Sequence, residues 1–149
     1  MATVTVRGEE VWRRIRERLG KKALVRAGVP EGASNGVTGE LIAPQAAANE
    51  FGAPGIPARP FLRTTLNKKK DEWVRNVVAA FRAGRTPEEV LALVGGRMAE
   101  DIQATIMSNM PPRNSDLTRL RKNAEGAGKG TLVDTGSLVR SIDYEVKQG

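Results

Sequence analysis

Between Gly52 and Pro60 the chain reads Gly-Ala-Pro-Gly-Ile-Pro-Ala-Arg-Pro, and this segment constrains the fold more than any other. Three prolines fix φ and remove three backbone donors, so neither a helix nor a central strand can run through it. The segment is also long enough to act as a functional loop. It divides the chain into an N-terminal part of short apolar runs and a C-terminal part with long helical periodicity.

Composition removes whole classes of chemistry. The 149 residues contain no His and no Cys. That excludes a Cys/His zinc site, a cysteine nucleophile, a Ser-His-Asp triad and any disulfide. Carboxylate-only catalysis and carboxylate metal binding stay open. The N-terminus lacks the apolar stretch of a signal peptide, and no apolar run approaches the ~20 residues that span a bilayer. The expectation is a soluble protein made in a cytoplasm, with one domain over 1–149 and flexible loops near 31–39 and 113–130. A net charge of +7 is compatible with proximity to a polyanion.

Before the proline segment, Val4 and Val6 alternate with threonines as a short strand. Val11, Trp12, Ile15 and Leu19 then recur at helical spacing up to Gly20. A second strand is expected over Lys22–Val29. Residues 31–39 are rich in Gly, Ser and Asn, a turn or hairpin tip. Glu40–Ala43 with Ala46–Ala48 reads as a strand, although the alanines leave a helix open.

After the segment, Leu62, Leu66, Trp73, Val74, Val77, Val78 and Phe81 form one apolar stripe of a helix ending at Gly84. Thr86-Pro87-Glu88-Glu89 is a helix start, with Thr as cap, Pro in the first turn and Glu89 completing a capping box. Val90, Leu91, Val94, Met98, Ile102 and Ile106 continue on one face to Pro111-Pro112, and Gly95-Gly96 marks a possible kink. Residues 113–130 are polar, basic and Gly-rich, with a helical piece around Leu117–Arg121. Ser141–Val146 alternates as a closing strand. The expected fold class is α+β: a small, mostly antiparallel sheet of three to four strands, with two main helices packed on one face.

Two stretches imitate enzyme motifs. Leu132-Val133-Asp134-Thr135-Gly136-Ser137 spells an aspartic-protease signature, but that chemistry needs two carboxylates sharing a proton. It also needs further strands after the Asp, and only 13 residues follow Gly136. A tight turn fits better, with Asp134 bonding the backbone ahead and Gly136 in a conformation other residues resist. Gly126-Ala127-Gly128-Lys129 resembles the end of a phosphate loop, but Asn123 stands where the first glycine belongs and no buried strand leads into it. Among the cations, Lys68, Lys69, Lys70, Arg121, Lys122 and Lys129 are candidates for meeting DNA phosphates. Lys68–Lys70 also fit the solvated side of an amphipathic helix.

The segment Ala48–Arg63, Ala-Asn-Glu-Phe-Gly-Ala-Pro-Gly-Ile-Pro-Ala-Arg-Pro-Phe-Leu-Arg, resembles the corresponding stretch of tailed-phage neck and tail-completion proteins, the virion morphogenesis family of Mu-like and related phages. A second stretch resembles the same family in order and spacing: Pro111-Pro112, Leu117-Thr118, Lys122, Thr131–Leu138 and Ser141-Ile142. Together they span roughly residues 40–146. The resemblance implies a structural virion protein acting late in assembly at the head–tail junction. Its expected partners are further copies of itself in a ring, most often a hexamer, and neighbouring neck or tail proteins, with genomic double-stranded DNA passing close by. It implies no catalytic residue, cofactor, metal, membrane or small-molecule substrate. Localisation would be the virion neck or tail, and the host cytoplasm during assembly. A tail terminator or head connector adaptor is the alternative, and a nonspecific DNA-binding protein a more distant one.

The interface and motif candidates on this basis are Glu50, Phe51, Gly52, Pro57, Arg59, Pro60, Phe61, Asp134, Thr135, Gly136 and Leu138. Arg59, between prolines, suits bidentate pairing with a carboxylate, either Glu50 or one on a neighbouring subunit. Phe61 is expected in the core, whereas for Phe51 an interface and its own core are equally open.

Overall fold

In the computed structural model, residues 23–108, 110–112, 114 and 136–148 are described, together with Glu10, Arg13, Arg16 and Glu17, which are helical. The expected strand at Val4–Val6, the helical piece at Leu117–Arg121, and Asp134 and Thr135 lie outside the described residues, as do Arg121, Lys122 and Lys129. Six elements follow in order: β1 (Ala23–Gly28), α1 (Ile42–Phe51), α2 (Phe61–Arg82), α3 (Pro87–Met107), α4 (Ser137–Ser141) and β2 (Asp143–Gln148). The protein is α+β.

The two strands pair antiparallel with Val25 opposite Val146 and Ala27 opposite Tyr144. Two strands are therefore seen among the described residues, where three to four were expected. Glu40–Ala48 accounts for part of the difference. Only Leu41 makes a β-bridge, to Ser34, and the chain then turns into α1. Ala43, Ala46, Ala47 and Ala48 are the strongest helix formers, and Pro44 sits in the first turn, where its missing N–H has no intrahelical partner to lose.

The start of α3 is the clearest local signal in the chain. Thr86 Oγ1 accepts from Glu89 N at 3.3 Å, and Glu89 Oε2 accepts from Thr86 N at 2.9 Å, with Pro87 opening the helix. The core gathers Ile42 and Ala46 of α1, Phe61 of α2, Ala99, Ile102 and Ile106 of α3, Met110, Leu138 of α4 and Ile142.

The stripe expected on α2 is rotated. Trp73 is buried, but Leu66 and Val74 are 50% and 55% exposed. Polar pairing across the α2–α3 seam sets the rotation. Thr65 Oγ1 donates to the Phe61 carbonyl and lies 2.7 Å from Thr105 Oγ1, while Trp73 Nε1 donates to Asp101 Oδ2 at 2.8 Å. Once buried, these groups cost more unpaired than Leu66 and Val74 cost exposed.

Gly95-Gly96 has a role other than a hinge, because α3 runs unbroken through it. A Cβ on Gly95 would fall inside the Tyr144 ring's contact distance and 2.9 Å from Val25 Cγ2, so the bare helix surface there seats the sheet. Gly96 meets nothing nearer than a Tyr144 ring carbon at 3.9 Å. Gly95→Ala is therefore expected to lower stability by about 1–3 kcal/mol through overpacking. Gly96→Ala should be neutral or raise it by about 1 kcal/mol through helix propensity. Urea unfolding of the two variants checks this, and equal effects would overturn the seating role.

Candidate functional site

The proline segment is a clasp built from the end of α1 and the start of α2. Gly52 ends α1 at φ 82°, its N–H donating to the Ala48 carbonyl at 2.9 Å. Ala53 and Ile56 then exchange both backbone hydrogen bonds around Pro54-Gly55, with Gly55 at φ 76° where this turn requires a positive value. Arg59 N donates to the Asn49 carbonyl at 2.6 Å, closing the loop on α1.

Glu50 does the remaining work. Pro60 stands at the N-cap of α2 and has no side chain to satisfy the helix's free N–H groups. The Glu50 carboxylate replaces it, accepting from Leu62 N at 2.8 Å and Arg63 N at 3.1 Å. Arg63 Nε adds a charged hydrogen bond at 2.9 Å, and Arg63 Nη2 donates to the Glu50 carbonyl at 2.7 Å. A carboxylate at a helix N-terminus also meets the positive end of the helix dipole. Glu50 is only 2% exposed, so this full set of partners is what makes its burial tolerable.

Arg59 does not pair with Glu50. Arg59 is 5% exposed, and its Nε donates to the Pro112 carbonyl at 2.8 Å, tying the clasp to the segment after α3. Burial lowers its pKa from the ordinary arginine value. Phe61 is fully buried in the core, as expected, and Leu138 is buried there as well. Phe51 faces solvent with the Arg63 guanidinium 5.2 Å above its ring centroid, a cation–π contact. Pro57 is exposed and Pro60 half-buried. Gly136 has φ 73° and opens α4, the conformation its place in the turn motif called for.

The lysine run does not act as one face. Lys68 and Lys70 are exposed, while Lys69 folds back to Glu72 at 2.8 Å and Asp101 at 3.8 Å. Arg97 joins the same group, 3.6 Å from both Glu72 and Asp101. Sequence reasoning missed this network, although the 69/72 and 97/101 spacings place each pair on one helix face. Among the described residues no three carboxylates gather to hold a metal ion, and no helix is long and apolar enough to cross a membrane. Comparison with family models, curated proteins and solved structures finds no match to this chain.

Removing the cap by Glu50→Ala is expected to cost about 1–2 kcal/mol, since the partly buried N–H groups of Leu62 and Arg63 lose their acceptor. Glu50→Gln keeps one acceptor oxygen and should cost less. Denaturant midpoints decide this, and an unchanged midpoint for Glu50→Ala would show that the cap is dispensable.

The Lys69–Glu72 pair sets a pH window. Its hydrogen bond with Lys69 holds the Glu72 carboxyl below its ordinary value, and the same bond raises Lys69 above its own. The Glu72 contribution is present above the ordinary carboxylate value and is lost as pH falls through the lowered one. The Lys69 contribution is present below the ordinary lysine value and is lost as pH rises through the raised one. Glu72→Gln should flatten both limbs of a Tm–pH profile, leaving neutral pH the least distinctive region. A profile parallel to wild type would show that the pair does not contribute.

Proposed function

We propose that this chain is a structural subunit of a tailed-phage virion that completes the tail or joins it to the head in the neck, through protein–protein contacts and without catalysis. One observation carries the reading. The two stretches that resemble the neck family are far apart in sequence, yet Phe61 of the first and Leu138 and Ile142 of the second enter one core. Both stretches are thus used to build and lock a scaffold. Glu50 and Arg59, two charged residues of the first stretch, spend their hydrogen bonds inside the same chain, on backbone groups and the Arg63 side chain.

In this reading the subunit assembles with copies of itself into a ring and meets adjoining neck or tail proteins. The exposed Phe51 and Pro57 are available for those contacts. Lys68 and Lys70, exposed and without an ion pair among the described residues, supply positive charge toward passing DNA. The protein would reside in the virion neck, and in the host cytoplasm before assembly.

Disrupting the gene in the parent phage and imaging the lysate by electron microscopy tests the proposal. The expected result is separate filled heads and finished tails that join when the protein is supplied. Overlong tails would move the subunit to the terminator role. Intact infectious particles would overturn the structural reading.

A further inference from the structure

The loop between β1 and α1 holds the only Asn-Gly pair of the sequence, Asn35-Gly36. The pair sits in an ordered turn. Ser34 bridges Leu41, Asn35 N donates to the Glu40 carbonyl and Gly39 N to the Asn35 carbonyl, both at 2.8 Å. Asn35 is half-buried and Gly36 is exposed.

Glycine is not what the turn needs at position 36. Every other described glycine outside the helices has a positive φ, whereas Gly36 does not. A Cβ built on Gly36 meets nothing within 4 Å, so alanine would fit there without strain. Conformation therefore gives no reason for the missing side chain, and chemistry gives one. Without a Cβ beside it, the Gly36 amide nitrogen is the least hindered nucleophile a backbone offers.

The Asn35 side chain is held for attack by that nitrogen. Its Oδ1 accepts from Val37 N at 2.9 Å, and Thr38 N lies 3.5 Å from the same oxygen. The ring closed by the first bond contains the Gly36 nitrogen, which keeps Asn35 Cγ beside it. The two N–H groups face the oxygen that becomes negative when Cγ is attacked, as the donors of an oxyanion hole do. Among the described residues, neither Asn35 Nδ2 nor Gly36 N donates a hydrogen bond. Leaving group and nucleophile are both unencumbered.

We propose that Asn35-Gly36 is a self-modification site, where the folded protein converts its own asparagine. Gly36 N loses its proton to solvent base and bonds to Asn35 Cγ, and Nδ2 leaves as ammonia. Water then opens the cyclic imide. Opening at the Cγ–N bond gives aspartate. Opening at the bond between N and the Asn35 main-chain carbonyl carbon gives isoaspartate, with the chain rerouted through Cγ. One water enters and one ammonia leaves, with no change of oxidation state.

The two products differ in consequence. Aspartate keeps an acceptor for Val37 N and adds a negative charge to a stretch that carries only Glu31, Glu40 and Glu50 between Arg26 and Arg59. Isoaspartate lengthens the loop between Asn35 and Glu40 by one carbon, so the turn's bonds lose their register. At the base of the same loop Ile42 N donates to the Ala33 carbonyl at 2.8 Å, which carries the change to the entrance of α1. This inference goes beyond the neck reading and does not depend on it.

Folded protein held at mildly alkaline pH tests the site. Digestion after Glu31 and Glu40 releases Gly32–Glu40, in which Asn35 is the one asparagine. Mass spectrometry reads its conversion against that of Asn67 and Asn76, both exposed on α2. Asn35 is expected to convert more than about tenfold faster than either, to yield both acids, and to accelerate as pH rises. Gly36→Ala should slow it about tenfold with Tm unchanged. Equal rates at the three asparagines, or an undiminished rate in Gly36→Ala, would overturn the proposal. Val37→Pro deletes the donor to Oδ1 and is expected to slow conversion further than the dipeptide alone explains. A rate at or above wild type in that variant overturns the part given to the turn.

Discussion

The fold depends on one buried carboxylate. Glu50 belongs to the last turn of α1, yet its hydrogen bonds belong to the first turn of α2, where Pro60 offers no cap. That exchange fixes the angle between the helices and shapes the proline segment joining them. Arg63 covers the carboxylate and Arg59 carries the constraint across to Pro112. Three elements are thereby held by polar groups that would be expensive to leave unpaired in the interior. The apolar core around Phe61 supplies the area, and the clasp decides the arrangement.

A second polar device works along the α2–α3 seam. Thr65 with Thr105 and Trp73 with Asp101 align the helices at chosen points, and Lys69 and Arg97 close over Asp101 from its rim. Hydrophobic stripes alone permit small rotations about each helix axis at little cost, since burial is non-directional. Directional bonds remove that freedom. The outcome is a helix pair with two apolar surfaces: one facing the core, and one lining a cleft open to water.

Much of this was legible from residues whose signals are local. The capping box at Thr86, the glycine after α2 and the positive-φ Gly136 all declare themselves within a few positions, as do the two strands to within a residue or two. Phe61 announced its burial by adjoining an apolar run. What stayed hidden needed partners distant in sequence. Nothing in Glu50 or Arg59 says that one will bond backbone amides and the other a carbonyl after α3. The face of α2 was misjudged because hydropathy ranks Thr65 as polar and Leu66 as apolar, whereas pairing with Thr105 reverses their burial. Glu40–Ala48 sat between two readings, and the tertiary contacts of Ile42 and Ala46 add to the alanines' own propensity to decide for the helix.

The sheet has a consequence for the order of events during synthesis. β1 and β2 are each other's partners, with both long helices between them in the chain. A two-stranded sheet is marginal by itself, and this one leans on the glycine surface of α3 through Tyr144. While β2 is still being made on the ribosome, β1 has no described strand to pair with and Gly95 lacks the Tyr144 ring that later covers it. The helical body can consolidate first from contacts that are closer in sequence. The sheet then closes as a seam over a helical body already built.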